Sequence, residues 1–331
     1  MNSKRTIRLA ATLMLVGLAV SGCSAGTPSG TNDSSNEPVQ PQTATVLMNY
    51  FAQAEQGGYW DAAENQYSKA EGITYKAVPG GPGIQTIPQV ASGQYEFGIG
   101  NADEVLIARK NGLPVVAVAS VYDTNLFVMI SHEEANITSF ADFNGHQVAR
   151  RPAPYFDYLK AHFKLNGIQE VNFTGSMATF KLNPNLVQQG FATSDVFHAE
   201  QAGIPINVLS VAKDGGYNPY GLVLFTTEKL INENPKLVTA VVHDSIEGWN
   251  HFVKDPADAK KAIFASNKES DEATFDASVK TIVSGGYLGS PIGNMQEDRW
   301  TQIRDQLASI KLLPADFNVN DVYTTKFLPT Q

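Results

Sequence analysis

The stretch "GGPGIQTIPQVASGQYEFGIGNADEV", residues 80–105, holds two glycine clusters of the kind that cradle phosphate. Gly98-Ile-Gly-Asn-Ala-Asp103 lies between a strand-like and a helix-like run, the setting of a dinucleotide-binding turn. Asp103, however, stands where the third glycine belongs. Asp103 and Glu104 in a first helical turn complement the positive end of the helix and would repel a pyrophosphate there. Gly80-Gly81-Pro82-Gly83 lacks the Lys-Ser or Lys-Thr pair of a P-loop. The run His132-Glu133-Glu134-Ala135-Asn136 comes nearest to a zinc signature, but Asn136 takes the place of the second ligand. There is no G-x-S-x-G elbow, and His146, His162, His198, His243 and His251 show no ligand spacing. Hydrolase, metalloenzyme and nucleotide-binding readings therefore have nothing specific behind them, and neither a metal nor a cofactor is expected.

A different set of residues recurs in one structural position. Asn49, Tyr50 and Phe51, then Asn101, then Tyr122 and Asp123, then Phe197, His198 and Glu200 each fall at the carboxyl end of a strand-like run. Ligands of open α/β sheets bind beyond those ends, so these groups would converge on one crevice. A later segment adds Arg150, Arg151, Tyr155 and the loop carrying Tyr217 and Tyr220. Tyr50, Tyr122, Tyr155, Phe197, Tyr217 and Tyr220 would suit a flat heterocycle, with Asn49, Asn101 and Glu200 reading its edge. Arg150 and Arg151 leave an anion open as the alternative ligand.

The elements that must position these residues alternate. Strands are predicted at 45–51, 73–78, 95–101, 114–122, 125–131, 146–151, 170–175, 193–199 and 220–227. Helices are predicted at 53–69, weakened by Gly57-Gly58, and at 87–91, 102–111, 155–166 and 184–190. Four more follow at 235–251, 255–266, 272–284 and 296–310. Such alternation predicts an α/β fold in which mostly parallel sheets are flanked by helices. The similar apolar runs 125–131 and 220–227 are expected to be crossover strands. They set off a second lobe, 125–227, from a first lobe made of 43–124 and 228–331, with hinges near 123–125 and 219–221.

At the amino end, Lys4, Arg5 and Arg8 precede an apolar run over 9–20, too short for a bilayer that needs about 20 residues, so 1–22 reads as a signal peptide. Cys23 is the only cysteine, which excludes a disulfide within the chain. Its place after Val-Ser-Gly resembles the lipobox of bacterial lipoproteins and implies a lipid anchor to the membrane. Residues 23–42 then comprise the lipidated cysteine and a flexible tether crowded with Ser, Gly, Pro and Asn. That tether reaches about 65 Å extended and on the order of 25 Å as a coil. Loss of Lys4, Arg5 and Arg8 takes the net charge from −9 to −12, and no long basic run remains to hold nucleic acid. At 43% hydrophobic residues over its full length, the chain has ample material for a large core.

Several segments together resemble a known family, the NMT1/THI5-like substrate-binding lipoproteins of ABC importers, related to nitrate, sulfonate and taurine binders. The resemblance covers roughly 45–330. It lies in "IPQVASGQYEFGIGNADEVLIARKNGLPVVAVASV", "FNGHQVARR", "YGLVLFTTEKLINENPKLVTAVVHDSIEGW", "KDPADAKKA" and "DVYTTKFLP". It implies a two-lobed periplasmic-binding-protein type II fold, expected as a monomer, that closes about its hinge on a small molecule and presents it to a permease. It also implies that Asn49 and Tyr50 face a pyrimidine and that Glu200 meets a ring amino group, pointing to a thiamine-pyrimidine precursor or a vitamin such as riboflavin. The eukaryotic synthases of the same family donate a histidine and carry a cysteine-rich run. Here those positions fall near Glu104 and on 216–220, so an enzyme is not expected. A surface scaffold lipoprotein is a further alternative.

Overall fold

The computed structural model describes residues 41–81 and 83–330. The expected signal peptide, Cys23 and nearly all of the tether lie outside the described residues. Among the described residues, no helix is long and apolar enough to cross a membrane.

The described strands are β1 (Gln42–Leu47), β2 (Ile73–Val78), β3 (Phe97–Gly100), β4 (Val115–Tyr122), β5 (Phe127–His132) and β6 (Gln147–Ala149). They continue with β7 (Gln169–Val171), β8 (Leu186–Phe191), β9 (Ile206–Ser210), β10 (Val223–Thr227) and β11 (Leu288–Gly293). They form two sheets, ordered β11-β4-β10-β3-β1-β2 and β7-β6-β8-β5-β9. In the first, β1 runs parallel to β2 and β3, and β10 lies antiparallel between β3 and β4. In the second, β6 runs parallel to β7 and β8, and β5 lies antiparallel between β8 and β9. The two sheets share one feature, a reversed strand, β10 or β5, set among parallel strands at the equivalent place, and the first sheet carries a second reversed strand, β11, at its edge. Helices flank both in a two-lobed α/β arrangement.

Two expectations about the crossover change. Neither β5 nor β10 passes between lobes: β5 belongs to the second sheet and β10 to the first. The passage is made by 123–126 and 211–222, and these two segments are laced together. Tyr122 and Gly221 exchange backbone hydrogen bonds of 3.1 and 3.0 Å. Asn125 N–H donates to Asn218 Oδ1 at 2.8 Å, and Asn218 Nδ2 donates to the Asp123 carbonyl at 3.1 Å. Arg299, on the helix Glu297–Ser309, donates to the carbonyls of Asp123 and Asn218 at 2.6 and 2.5 Å. One side chain therefore pins both passages at the same point.

The expectation for 184–199 is reversed. The segment expected to be helix is β8, and the one expected to be a strand is the helix Asp195–Gln201. Gln188 and Gln189 make the β8 sequence look polar, yet both are buried because this central strand is covered on both faces. Asp195 in turn accepts from Phe191 N–H at 2.7 Å, closing the strand-to-helix turn. β9 and β11 were not anticipated.

The Gly57-Gly58 pair does not weaken its helix, Gly57–Asn65, so much as let it approach the helix Pro235–Phe252. A Cβ on Gly58 would lie 2.5 Å from Trp249 Cα, and one on Gly248 would lie 2.2 Å from the Gly58 carbonyl. Trp249 then meets Tyr59 and Tyr122 edge-on, with ring centroids 5.8 and 5.5 Å away. The Tyr59 hydroxyl donates to the Leu222 carbonyl at 2.8 Å, tying this contact to the entry of β10. Because the obstructing atoms include backbone, Gly58→Ala and Gly248→Ala are each expected to cost about 1–3 kcal/mol and to lower the thermal midpoint by several degrees. An unchanged midpoint for both variants would show that the helices can separate without cost.

Candidate ligand-binding cleft

The carboxyl ends of the parallel strands of both sheets meet across a cavity of about 500 Å3. From the first lobe, the turns after β1 and β3 deliver Asn49, Tyr50, Asn101 and Glu104, and the short helical turn Ala54–Gln56 delivers Glu55 and Gln56. From the second lobe, the end of β6 delivers Arg151, and β8 delivers Gln189 and Phe191. The passages between lobes and the strand ends that adjoin them complete the wall with Tyr122, Leu126, Phe127 and Leu222. Ligand contact with both lobes is built into this placement, since neither lobe alone closes the cavity.

The polar groups are held in defined orientations. Gln56 Nε2 donates to Asn49 Oδ1 at 3.3 Å, while Gln56 Oε1 is buried with no partner among the described residues. Gln189 Oε1 accepts from Arg151 N–H at 2.9 Å and from the Tyr155 hydroxyl at 3.0 Å. Glu104 Oε2 accepts from Asn101 N–H at 2.8 Å, where Glu104 caps the helix Ala102–Lys110. The Tyr122 hydroxyl donates to the Glu55 carbonyl at 3.0 Å, and the Thr193 hydroxyl donates to the Glu55 carboxyl. Buried groups with fixed partners are pre-organised, which spares the ligand the cost of ordering them.

Charge in the cavity is unevenly distributed. Burial pushes the Glu55 carboxyl up from the usual carboxylate range. Burial also pushes up both Asp103 and Glu104, and the nearby Asp103 raises Glu104 further against the opposing pull of Arg151. Arg151 has no ion pair among the described residues. Its guanidinium carbon lies 4.2 Å from the centroid of Tyr50 and 5.5 Å from that of Phe173. Its neighbour Arg150 points the other way, paired with Glu170 at 2.6 Å.

Five of the thirteen residues expected to contact ligand line the cavity: Asn49, Tyr50, Asn101, Tyr122 and Arg151. The other eight do not. Phe51 is exposed and its ring sits 5.0 Å from that of Tyr50. Asp123 offers its carbonyl to the crossover lacing, and Arg150 is held by Glu170. Tyr155 and Tyr217 are buried one layer behind the wall, the first holding Gln189 and the second donating to Asp103 Oδ2 at 2.9 Å. Tyr220 packs under Arg299, 5.0 Å from its guanidinium, and its hydroxyl accepts from Gln296 N–H. Phe197 and Glu200 ride on the helix Asp195–Gln201 instead of a strand end, and Glu200 is exposed.

Glu55, Gln56, Glu104, Phe127, Gln189 and Phe191 line the cavity without having been singled out as ligand contacts. The signal that could have found Gln189 is an amide pair inside an otherwise apolar run. For Glu104 it is the acid three residues after a strand-end asparagine. Metal-type ligands come together in Asp61, His251 and Asp258, none of which lines the cavity. The Asp61 oxygens there are engaged by Tyr67, Asn65 and His251 at 2.8, 3.1 and 2.8 Å.

Because the folded state holds the Asp103 and Glu104 protons more tightly than the unfolded chain, it binds more protons from the ordinary carboxylate range up toward neutrality. Stability should therefore fall as pH rises through that window. The thermal midpoint is expected to decline between about pH 5 and pH 8, and Glu104→Gln, which keeps an acceptor for Asn101 but cannot ionise, is expected to decline less. Parallel curves for the two proteins would mean that Glu104 carries no raised proton.

The comparisons with known proteins agree with this architecture. The riboflavin-binding protein RibY of Chloroflexus aurantiacus is 24% identical over 344 residues, covering 96% of this chain and 96% of its own length. The formylaminopyrimidine-binding protein of Halalkalibacterium halodurans is 24% identical over 243 residues, covering 71% and 72%. The periplasmic aliphatic sulphonate binding protein SsuA of Escherichia coli superposes with a TM-score of 0.64 at 16% identity, covering 88% of this chain and 95% of that one. At that identity the likeness is one of fold. Residues 53–259, more than half of the chain, match the family described as NMT1/THI5 like, and the protein belongs to that family.

Proposed function

We propose that the chain is the solute-binding component of an ABC importer and captures a flat nitrogen heterocycle between its lobes. The observation that carries this reading is the interlobe cavity of about 500 Å3, which draws Tyr50 and Tyr122 from one side and Phe127 and Phe191 from the other. Rings of this kind supply stacking and apolar area. Asn49, Gln56, Asn101 and Gln189 supply the few placed polar groups that fix orientation. A ligand touching both lobes favours the closed arrangement by its differential affinity for that arrangement. The two relatives named for riboflavin and for formylaminopyrimidine support a heterocycle of the vitamin or vitamin-precursor type. Lipid attachment at Cys23 would hold the body outside the membrane within reach of its permease partner, and one copy would suffice for binding.

A small anion is the second reading, favoured by the unpaired guanidinium of Arg151. It would leave most of the cavity volume without contacts, and the raised carboxyls of Glu55 and Glu104 would face the anion as well.

Thermal unfolding of the purified protein with riboflavin, formylaminopyrimidine, thiamine, nitrate, taurine and an alkylsulfonate tests the choice. A ligand present at about 1,000 times its dissociation constant adds roughly 4 kcal/mol, a rise of several degrees in the midpoint. The expected result is a rise with a ring compound and none with the anions, and a rise reduced by Tyr50→Ala. A rise with the anions alone would replace the heterocycle reading by the second one.

A further inference from the structure

The heterocycle reading leaves part of the interlobe space unused. A second compartment of about 340 Å3 opens beside the first. The two share Tyr50, Gln53, Glu55, Arg151, Gln189 and Phe191, so they adjoin, with Arg151 and Tyr50, 4.2 Å apart, bordering both. Like the first, the second draws on both lobes. Ser194, Asp195 and His198 come from the second lobe, and Asp271, Thr274 and Ser278 come from the helical part of the first. Hydrogen bonds close it on its far side. His198 Nε2 meets Thr274 Oγ1 at 3.0 Å, and Ser278 Oγ donates to the Thr193 carbonyl at 3.2 Å.

The chemistry of the two compartments differs. The first is walled largely by rings and aliphatic groups, the second by hydroxyls, amides and carboxylates. Four acids, Glu55, Asp195, Glu269 and Asp271, border the second compartment against Arg151 and His198. Asp271 is kept ionised, because the Thr274 backbone N–H it caps and the Thr274 hydroxyl hold its carboxyl below the usual range. A hydroxyl can donate to the Asp271 carboxylate and accept from the arginine. A phosphate or sulfonate could pair with Arg151 but would face Asp271 and Glu269 as well.

We propose that the second compartment receives an uncharged, hydroxylated chain carried by the ring, so that the ligand is a planar heterocycle with a polyol-type tail and not a single small ring. This rests on the heterocycle reading above and deepens it: one molecule spans both compartments, with its chain passing beside Arg151 and Tyr50. A lone pyrimidine would leave the polar compartment empty. A tail ending in an anion would meet Asp271 and Glu269.

Three probes with the same ring separate the parts: lumiflavin, which has a methyl group in place of the chain; riboflavin, with a neutral polyol; and flavin mononucleotide, whose chain ends in phosphate. Titration of the purified protein is expected to show riboflavin binding about tenfold or more tighter than lumiflavin, and the mononucleotide weaker than riboflavin by a similar factor. Ser270→Phe, which narrows the second compartment, should erase the advantage of riboflavin over lumiflavin. Glu269→Lys, at the exposed rim, should narrow the gap between the mononucleotide and riboflavin. Equal binding of lumiflavin and riboflavin would overturn the tail compartment while leaving ring capture intact. Binding of a pyrimidine but of no flavin would do the same, whereas binding of small anions alone would overturn ring capture together with this inference.

Discussion

Everything about the cleft depends on the lacing of two chain passages at one point. The Tyr122–Gly221 backbone pair, the Asn218 amide across Asp123 and Asn125, and the Arg299 guanidinium over both carbonyls bind the outgoing and returning segments together. Charge-assisted hydrogen bonds to carbonyls are among the stronger of their kind, and a planar guanidinium can serve two acceptors without reorienting. The lobes are therefore fastened to each other where the two passages meet. Residues that face each other across the cavity do so because this junction sets their separation.

Given that junction, the feature shared by the two sheets decides which residues reach the cavity. Each sheet places the carboxyl ends of its parallel strands and the amino end of one reversed strand, β10 or β5, at the cleft. Side chains that follow β1, β3, β4, β6 and β8 enter it from their ends, and those that precede β5 and β10 enter from the opposite direction. The close approach of Gly58 to Trp249 extends the same logic into the core. It brings the turn Ala54–Gln56 against Tyr122 and so sets Glu55 and Gln56 in the wall.

Much of this was legible in the sequence where one pattern dominates locally. β2 at Ile73–Val78 follows from clean alternation, and the helix expected over 272–284 is found at Glu272–Ser284. The 184–199 segment was not legible, because a central strand covered on both faces can bury two glutamines once their backbone is paired, and pairing is not a local property. Strand-end placement picked out the cleft, yet it could not separate wall from support. Adjacent residues at a strand end point to opposite faces, so Arg151 reaches the cavity while Arg150 turns to Glu170. Tyr155 and Tyr217 sit one layer behind, where their hydroxyls orient Gln189 and Asp103.

That layering bears on how the cleft discriminates. A wall of buried acids would be costly if all were ionised, and here burial raises Glu55 and Glu104 toward the neutral form, in which each can donate as well as accept. Arg151 remains the fixed cation, held over the Tyr50 face instead of against a carboxylate. A neutral ring with carbonyl and amide groups on its edge matches such a set. Its carbonyl would meet the guanidinium and its N–H groups Gln56 Oε1 or a carboxyl, and the ligand would bring no net charge into the cleft. A ligand that lacked one of these groups would leave a desolvated partner unsatisfied, and that penalty, more than the apolar area gained, gives a cleft of this kind its selectivity.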